Sequence, residues 1–486
     1  MSEKSIKKNF SLSLAYQILT LITPFVTTPY ISRVLEPDGV GITSYTASVV
    51  AMFALFAYLG VMSYGTIEIA KVRDNFERRN QLFWEIELMV IISSLVVMLA
   101  WGCFILLAKQ YQLIYIILTL NIFNVLIDIS WFYAGLEEFS YIVYRNFCVK
   151  IIGIILMFIF IREKNDMVLN IFIMSMTQVA GTLSMWFYLK GRVGRPRIVI
   201  SNVFRHFRET LIYFIPSIAS SIYSVLDKAL IGTITHDAFQ NGYYEQATKV
   251  AFMAKTVTFG ALNSVMMSRQ SYLFAAKKFD EMKQRIDKSI DMILFVGIGM
   301  TMGVIGAAGM FVPVFFGPGY EQVAFLMQLL IPVILFSGIG DCLGSQYYNP
   351  SGLRAKSARY IIVGAIVNLI FNLIFIPSFG SVGAVCGTLI AEFLIACLYV
   401  YNCNGYLRVG QIMRKVWKKG LAGVGMLFVI WLLANISSPM IIRLMLQVLL
   451  GSIAYLIFLF VLRDSFMCYL INDVVLKKIN SIRSNH

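Results

Sequence analysis

Long apolar runs separated by short polar segments extend over almost the whole chain. A helix needs about 20 predominantly apolar residues to cross a hydrocarbon layer about 30 Å thick. Fourteen runs meet this length, at 10–31, 41–63, 84–107, 112–134, 141–161, 167–189, 210–234, 243–267, 290–315, 322–347, 358–377, 381–402, 420–436 and 440–462. The pattern therefore predicts an all-α integral membrane protein with about 14 transmembrane helices.

Basic residues fall mainly in every second connecting segment. With a cytoplasmic N-terminus, most of the 41 lysines and arginines lie in segments on the cytoplasmic side, as the positive-inside rule requires. An even number of spans then returns the C-terminus to the same side. We therefore predict that both termini are cytoplasmic and that the outer loops are short.

Composition supports a multi-pass membrane protein. Of the 486 residues, 58% are hydrophobic and only 14% are charged, whereas a soluble domain carries about 25% charged residues. The net charge of +15 is spread over short clusters between apolar runs, so nucleic acid is not a predicted partner.

Several kinds of chemistry are missing from the sequence. The seven cysteines are scattered and the three histidines are isolated, so neither a metal site nor another cofactor is predicted. No Gly-Lys dipeptide occurs, which excludes a P-loop. The polar segments are too short for the sizeable catalytic loop that a membrane-embedded enzyme usually carries, so the sequence does not predict an enzyme.

A basic segment at 190–209 divides the chain into two halves. It predicts an N-terminal lobe at 1–189, a cytoplasmic linker at 190–209, a C-terminal lobe at 210–402, and two added helices with a tail at 403–486. Aligning Gly41 with Gly242 brings "GITSYTASVVAM" over "GYYEQATKVAFM". Six spans in each lobe preserve orientation, so the halves would form a parallel repeat.

Five charged residues at the start of the second half lie within predicted spans: Asp227, Lys228, Glu245, Lys249 and Lys255. Glu245 precedes Lys249 by four residues, which favours a pair on one helix turn. Lys255 would lie about 18 Å deep at 1.5 Å per residue, without an evident partner. A lysine at that depth is expected to face a polar cavity.

Two interpretations of these charges remain open. The acids could merely neutralise the lysines as structural pairs, or Lys228, Lys249 and Lys255 could bind an anionic substrate while Asp227 and Glu245 act as counter-ions or couple transport to a cation. Further candidates for a polar cavity are Arg33, Asp128, Asp341 and Glu392.

Four stretches resemble the bacterial polysaccharide transporters, the O-antigen and exopolysaccharide repeat-unit flippases of the multidrug/oligosaccharidyl-lipid/polysaccharide superfamily. They are "PFVTTPYISRVLEPDGVGITSYTASVVAMFALFAYLGVMSYGTIEIAKVRD" (24–74), "DISWFYAGLEEFSYIVYRNFCVKIIG" (128–153), "DKALIGTITHDAFQNGYYEQATKV" (227–250) and "FIPSFGSVGAVCGTLIAEF" (375–393). That family usually has Asp-Arg where this chain has Asp227-Lys228, so the charge is kept without the bidentate geometry of arginine.

The resemblance implies two six-helix lobes in a V with two added C-terminal helices, in the bacterial plasma membrane. It implies a flippase that moves undecaprenyl-pyrophosphate-linked oligosaccharide units to the outer leaflet by alternating access. The lysines would then meet the pyrophosphate. Its partners would be this lipid-linked oligosaccharide, membrane lipid, and a polysaccharide polymerase with its chain-length machinery.

Rival functions within the superfamily are a lipid II or teichuronic-type flippase and a cation-coupled drug exporter. A membrane-embedded polymerase or acyltransferase is the rival from another class. A drug exporter would favour an acidic, aromatic cavity over a lysine-rich one.

Overall fold

The computed structural model describes the backbone of residues 3–471, and the side chains of residues 19–471 apart from 139, 215–217, 219–224, 257, 261 and 264. Within those limits the chain is helical and contains no β-strand. The α-helices are α1 Glu3–Tyr58, α2 Val61–Val72, α3 Phe76–Leu107, α4 Gln112–Leu126, α5 Ser130–Gly135, α6 Phe139–Phe160, α7 Met167–Phe187, α8 Ile200–Thr235, α9 Ala238–Lys255, α10 Ala261–Ala275, α11 Phe279–Phe315, α12 Glu321–Leu330, α13 Val333–Leu343, α14 Arg354–Phe379, α15 Ser381–Tyr401, α16 Val409–Ala434, α17 Met440–Val461 and α18 Ser465–Tyr469. The predicted all-α fold is confirmed.

The described part of the chain contains 10 helical segments long and apolar enough to cross a membrane, or 12 if each of two bent pairs is one span. The protein is therefore a multi-pass membrane protein, and the larger count of 14 and the side of the termini stay predictions. One of the 10 segments, Leu19–Val72, is 54 residues long and covers two of the predicted spans.

Glu36 marks a break within that long segment. Its φ of 59° and ψ of 173° are uncommon for a residue with a side chain, and Pro37 follows directly. The Lys164 Nζ lies 2.8 Å from a Glu36 carboxylate oxygen and 2.9 Å from one of Asp38. Two predicted outer loops are thus held together by ion pairs.

Contacts divide the chain into a first unit, Met1–Gly242, and a second unit, Tyr243–His486. Within the first unit, α3 packs against α1, α2, α4 and α8. The core of the first unit contains an aromatic cluster. Its members Phe83, Trp131, Phe132 and Tyr133 are fully buried. Phe83 stacks on Trp131 at 5.6 Å between ring centroids.

The segment predicted as a linker is fastened to α3 of the first unit. The Asn80 side chain donates to the Arg195 carbonyl at 2.9 Å and accepts from the Gly194 amide at 2.8 Å. The Val199 amide donates to Glu85 at 3.1 Å, just before α8 begins. The contact boundary after Gly242 falls beyond this segment, and the four predicted domain limits stay a prediction.

The second unit is built on close helix pairs. A Cβ added at Gly383 or Gly387 of α15 would lie 2.5 Å from atoms of α14, so these two helices approach where the side chain is missing. The helices α16 and α17 pack on α11. Lys419 of α16 is fully buried there between Asp291 and Asp464, which ties the last helices to the rest of the unit.

Candidate functional site

The cluster that best fits a substrate site is in the second unit, around Lys255. This lysine is the last residue of α9, and its Nζ lies 2.9 Å from the Asp341 Oδ2 on α13. Glu392 of α15 is also close enough to act on Lys255 electrostatically. The expectation that Lys255 has no evident partner was wrong, because its partner lies on a helix distant in sequence.

Lys255 and Asp341 each lie close to an irregular turn. A π-helical turn, Thr256–Gly260, follows Lys255 directly, and a second one, Gly344–Tyr348, follows α13. Such turns widen a helix locally and are frequent at functional sites. The side chains of Lys255 and Asp341 therefore both lie near the end of a helix, next to a π-helical turn.

The Lys255–Asp341 pair remains partly accessible. The Lys255 side chain is 30% exposed and that of Asp341 is 51% exposed, so a ligand can reach both without unfolding. Tyr399 lies within electrostatic range of Asp341 and Glu392, and its hydroxyl is 2.6 Å from the Ser357 hydroxyl. Tyr399 and Ser357 are both buried, so this hydroxyl pair belongs to the packing behind Asp341 rather than to the exposed part of the cluster.

Glu245 and Lys249 form the predicted pair on α9. Their charged atoms are 3.1 Å apart, with Lys249 38% and Glu245 12% exposed. Lys255 comes six positions after Lys249, which turns their side chains about 120° from each other around the helix. These two lysines of α9 thus face different directions, and each already has an acidic partner.

The other predicted site residues belong to the first unit. Asp227 on α8 is buried, with 3% exposure, and Lys228 beside it is half-buried. Arg33 of α1 donates to the Pro29 carbonyl at 3.0 Å, and Asp128 accepts a hydrogen bond from the Tyr58 hydroxyl at 2.9 Å. A path of three lysines therefore draws on both units and stays a prediction.

An apolar groove of about 380 Å³ lies in the second unit. Val250 of α9 contributes to its wall, and α11, α16 and α17 supply most of the rest, including Met300, Phe311, Met426 and Val448. Val250 follows Lys249 directly in sequence. The helix α9, which carries Lys249 and Lys255, therefore also borders an apolar surface.

Comparison with known proteins gives a family. The profile described as "Polysaccharide biosynthesis protein" matches residues 6–267, which is more than half of the chain. The chain belongs to this family.

Two curated relatives match most of this chain. It is 21% identical over 402 residues to the "Putative O-antigen transporter" of Escherichia coli (strain K12), covering 81% of this chain and 95% of that protein. The protein of the same description from Shigella dysenteriae is 23% identical over 395 residues, covering 80% of this chain and 98% of that protein.

Solved structures share the fold. The lipid II flippase MurJ in an inward closed conformation superposes with a TM-score of 0.72 at 15% identity, over 94% of this chain and 99% of that chain. An inward-facing multidrug resistance MATE family transporter of the MOP superfamily gives a TM-score of 0.62 at 13% identity, over 83% and 97%. Family, relatives and fold together make this protein a membrane transporter rather than an enzyme.

Some polar clusters of this transporter were missed by sequence reasoning. His206 is buried with its Nδ1 at 2.5 Å from the Tyr64 hydroxyl and its Nε2 at 3.4 Å from Glu85. Glu87 is fully buried as well. Only long-range packing brings such residues together, and neither has a partner at a spacing that a sequence pattern reveals.

Proposed function

We propose that this protein is a flippase for lipid-linked oligosaccharide repeat units. It moves sugars attached to undecaprenyl pyrophosphate from the cytoplasmic to the outer leaflet of the bacterial plasma membrane, for assembly of O-antigen, capsule or exopolysaccharide. The observation that carries the proposal is the partly exposed Lys255–Asp341 pair in a multi-pass member of the polysaccharide biosynthesis family.

The chemistry of the substrate explains why a protein is needed. Pyrophosphate and sugar hydroxyls cannot cross about 30 Å of hydrocarbon without losing their hydration, at a cost of several kcal/mol for each unpaired polar group. A transporter must offer them charges and hydroxyl groups inside the membrane. In the second unit the partly exposed Lys255 supplies such a charge.

Lys255 is assigned the main contact with pyrophosphate. In the empty protein Asp341 neutralises this lysine at 2.9 Å, so the lysine is not left as a bare charge in the membrane. An arriving pyrophosphate displaces Asp341 because it brings more negative charge. When the substrate leaves, Asp341 returns, and this exchange keeps the binding weak enough for release.

Lys228 and Lys249 are assigned secondary contacts with the same group, and Asp227 and Glu245 are assigned the role of counter-ions. The 3.1 Å pair of Glu245 and Lys249 is partly exposed and open to the same exchange. Several weak contacts let a charged group move from one to the next without binding so tightly at any of them that it cannot leave. The polyprenyl tail stays in the hydrocarbon, where the groove beside Val250 offers it an apolar surface.

Transport follows alternating access, in which the substrate site opens to one side of the membrane at a time. The overall fold is shared with MurJ at a TM-score of 0.72, and this supports a transport cycle of that general kind. A polysaccharide polymerase would use the units after they reach the outer leaflet.

The test is deletion of the gene in its native strain, followed by extraction of lipid-linked sugars. We expect loss of surface polysaccharide and accumulation of intact lipid-linked repeat units on the cytoplasmic face, both reversed by the wild-type chain. Accumulated lipid II would instead support a lipid II flippase, drug sensitivity alone would support an exporter, and a covalently altered glycan would support an enzyme.

A further inference from the structure

Glu87, a buried acid on α3 of the first unit, lies outside the proposed substrate site. Its side chain is fully buried, and neither carboxyl oxygen has a hydrogen-bond partner among the described residues. A buried carboxylate without hydrogen bonds costs several kcal/mol. Such a group in a membrane span calls for a reason beyond packing.

Asp128 acts on Glu87 electrostatically, but the two acids differ in their surroundings. Asp128 accepts hydrogen bonds from the Tyr58 hydroxyl and the Ser130 amide, both at 2.9 Å, and Arg145 is close enough to act on Tyr58. Asp128 thus has hydrogen-bond donors that Glu87 lacks. A carboxyl that is buried without such donors takes up a proton more readily than one that has them.

Other charged groups near α3 act on a different acid. Glu85 accepts hydrogen bonds from Gln81 at 2.9 Å and Asn202 at 2.9 Å, and His206 of α8 also approaches it. Glu87 comes two positions after Glu85, which places the two side chains about 160° apart around the helix. Asp128 is therefore the charged neighbour that matters for Glu87.

A metal ion fits this place poorly. Among the described residues no three His, Cys, Asp or Glu side chains are grouped so that they could hold one, whereas a metal ion in a protein needs several ligands. A proton needs only one oxygen. The unpartnered carboxyl oxygens of Glu87 meet that need.

We propose that Glu87 binds and releases the proton whose movement across the membrane drives this transporter. The proton adds to one carboxylate oxygen, which becomes a neutral carboxylic acid, and later passes to water on the other side of the membrane. No electron transfer and no co-reactant are involved. In the conformation described here the acid is sealed from water, as a carrier must be between its two accessible states.

This inference rests on the proposed function only for what the proton drives, since the proton site itself can be measured without substrate. The full-length protein in liposomes is titrated by infrared spectroscopy, following the carbonyl band of a protonated carboxylic acid. We expect the band near neutral pH in the wild type and in Glu77→Gln, whose acid is exposed in the first turn of α3. Glu87→Gln should lack it.

The same variants are then compared in cells for surface polysaccharide, with the amount of folded protein in the membrane measured in parallel. Glu87→Gln should lose surface polysaccharide, Glu87→Asp should retain part of it, and Glu77→Gln should behave as wild type. A band unchanged in Glu87→Gln, no band in the wild type, or normal polysaccharide with Glu87→Gln would overturn the inference. A wild-type chain that restores no polysaccharide would reject the proposed function instead, and the infrared titration would still decide whether Glu87 carries a proton.

Discussion

Lys255 and Asp341 form an ion pair at 2.9 Å between the last residue of α9 and the last turn of α13. The pair is partly exposed at the protein surface, and Glu392 is a second acid within electrostatic range of the lysine. This arrangement stabilises a lysine deep in a predicted span when no substrate is present. It also leaves the lysine reachable, which is what distinguishes it from a purely structural pair.

Removing the charge of Lys255 should impair transport more than changing its shape. We expect Lys255→Ala to lower surface polysaccharide on the order of tenfold, because a hydrogen bond to a charged group contributes about 1.5–3 kcal/mol. Lys255→Arg should retain more activity. Surface polysaccharide is measured beside the folded protein in membranes, with Lys278→Ala on an exposed site as control; equal loss in both alanine variants would contradict the assignment.

Gly41 and Gly242, the two glycines aligned between the halves, lie at close helix contacts within the first unit. An added Cβ would come within 1.7 Å of the Ala238 carbonyl oxygen at Gly41 and within 2.0 Å of the Pro37 carbonyl oxygen at Gly242. Since those neighbours are backbone atoms, Gly242→Ala should lower the melting temperature in detergent.

The matched control for that substitution is Gly102→Ala on α3, where an added Cβ meets nothing within 4 Å. It should be neutral or stabilising by about 0.5–1 kcal/mol, because alanine favours a helix over glycine. If Gly242→Ala melts with the wild type, the close approach is not required for folding.

The buried ion cluster of α16 predicts a large stability effect. The Lys419 Nζ lies 2.7 Å from both Asp291 and Asp464. Lys419→Met therefore leaves the buried Asp464 without its cation and leaves Asp291 with only Lys415, at 3.7 Å. Breaking a buried pair in this way costs about 3–5 kcal/mol. Arg414→Met, at an exposed position of the same helix, should melt close to wild type, and a similar loss in both variants would argue against the cluster.

His206 predicts a stability change with pH. Burial lowers the pKa of His206, although its contact with Glu85 acts in the opposite direction. The unfolded chain then binds the proton more readily, so the stabilisation is present above the unfolded pKa of about 6.5 and is lost as the pH falls toward the lower folded value. His206→Gln should flatten the wild-type melting profile over this range, and an unchanged profile would exclude His206 as its source.

Local patterns predicted the helices, the membrane setting and the Glu245–Lys249 pair, because each depends on residues close in the chain. The sequence could not provide the partner of Lys255, since Asp341 approaches it only after α9 and α13 pack. Glu87 could not be identified from the sequence for the same reason. What distinguishes this acid is that its buried carboxyl oxygens have no hydrogen-bond partner among the described residues. Hydrophobicity counts Glu87 as one polar residue in an apolar run and cannot tell which neighbours it will meet.

Glu36 shows a different limit of sequence reasoning. The segment Leu19–Val72 is a single apolar stretch in the structure, although the chain breaks at Glu36 with a positive φ. The Pro-Asp-Gly sequence that follows signals a turn and lies between the predicted spans 10–31 and 41–63, whose number and limits stay a prediction. The side chain that fastens this turn, Lys164, is far away in sequence and could not be predicted.

Reconstitution tests the flippase claim most directly. The purified full-length protein is placed in liposomes that contain undecaprenyl-pyrophosphate-linked oligosaccharide, and a membrane-impermeant glycosidase reports the fraction of sugars on the outer face over time. We predict that wild-type protein makes the initially protected sugars accessible, that protein-free liposomes do not, and that Lys255→Ala slows the process strongly. Sugars that stay protected with folded wild-type protein in the membrane, under an imposed proton gradient of either direction, would contradict the account.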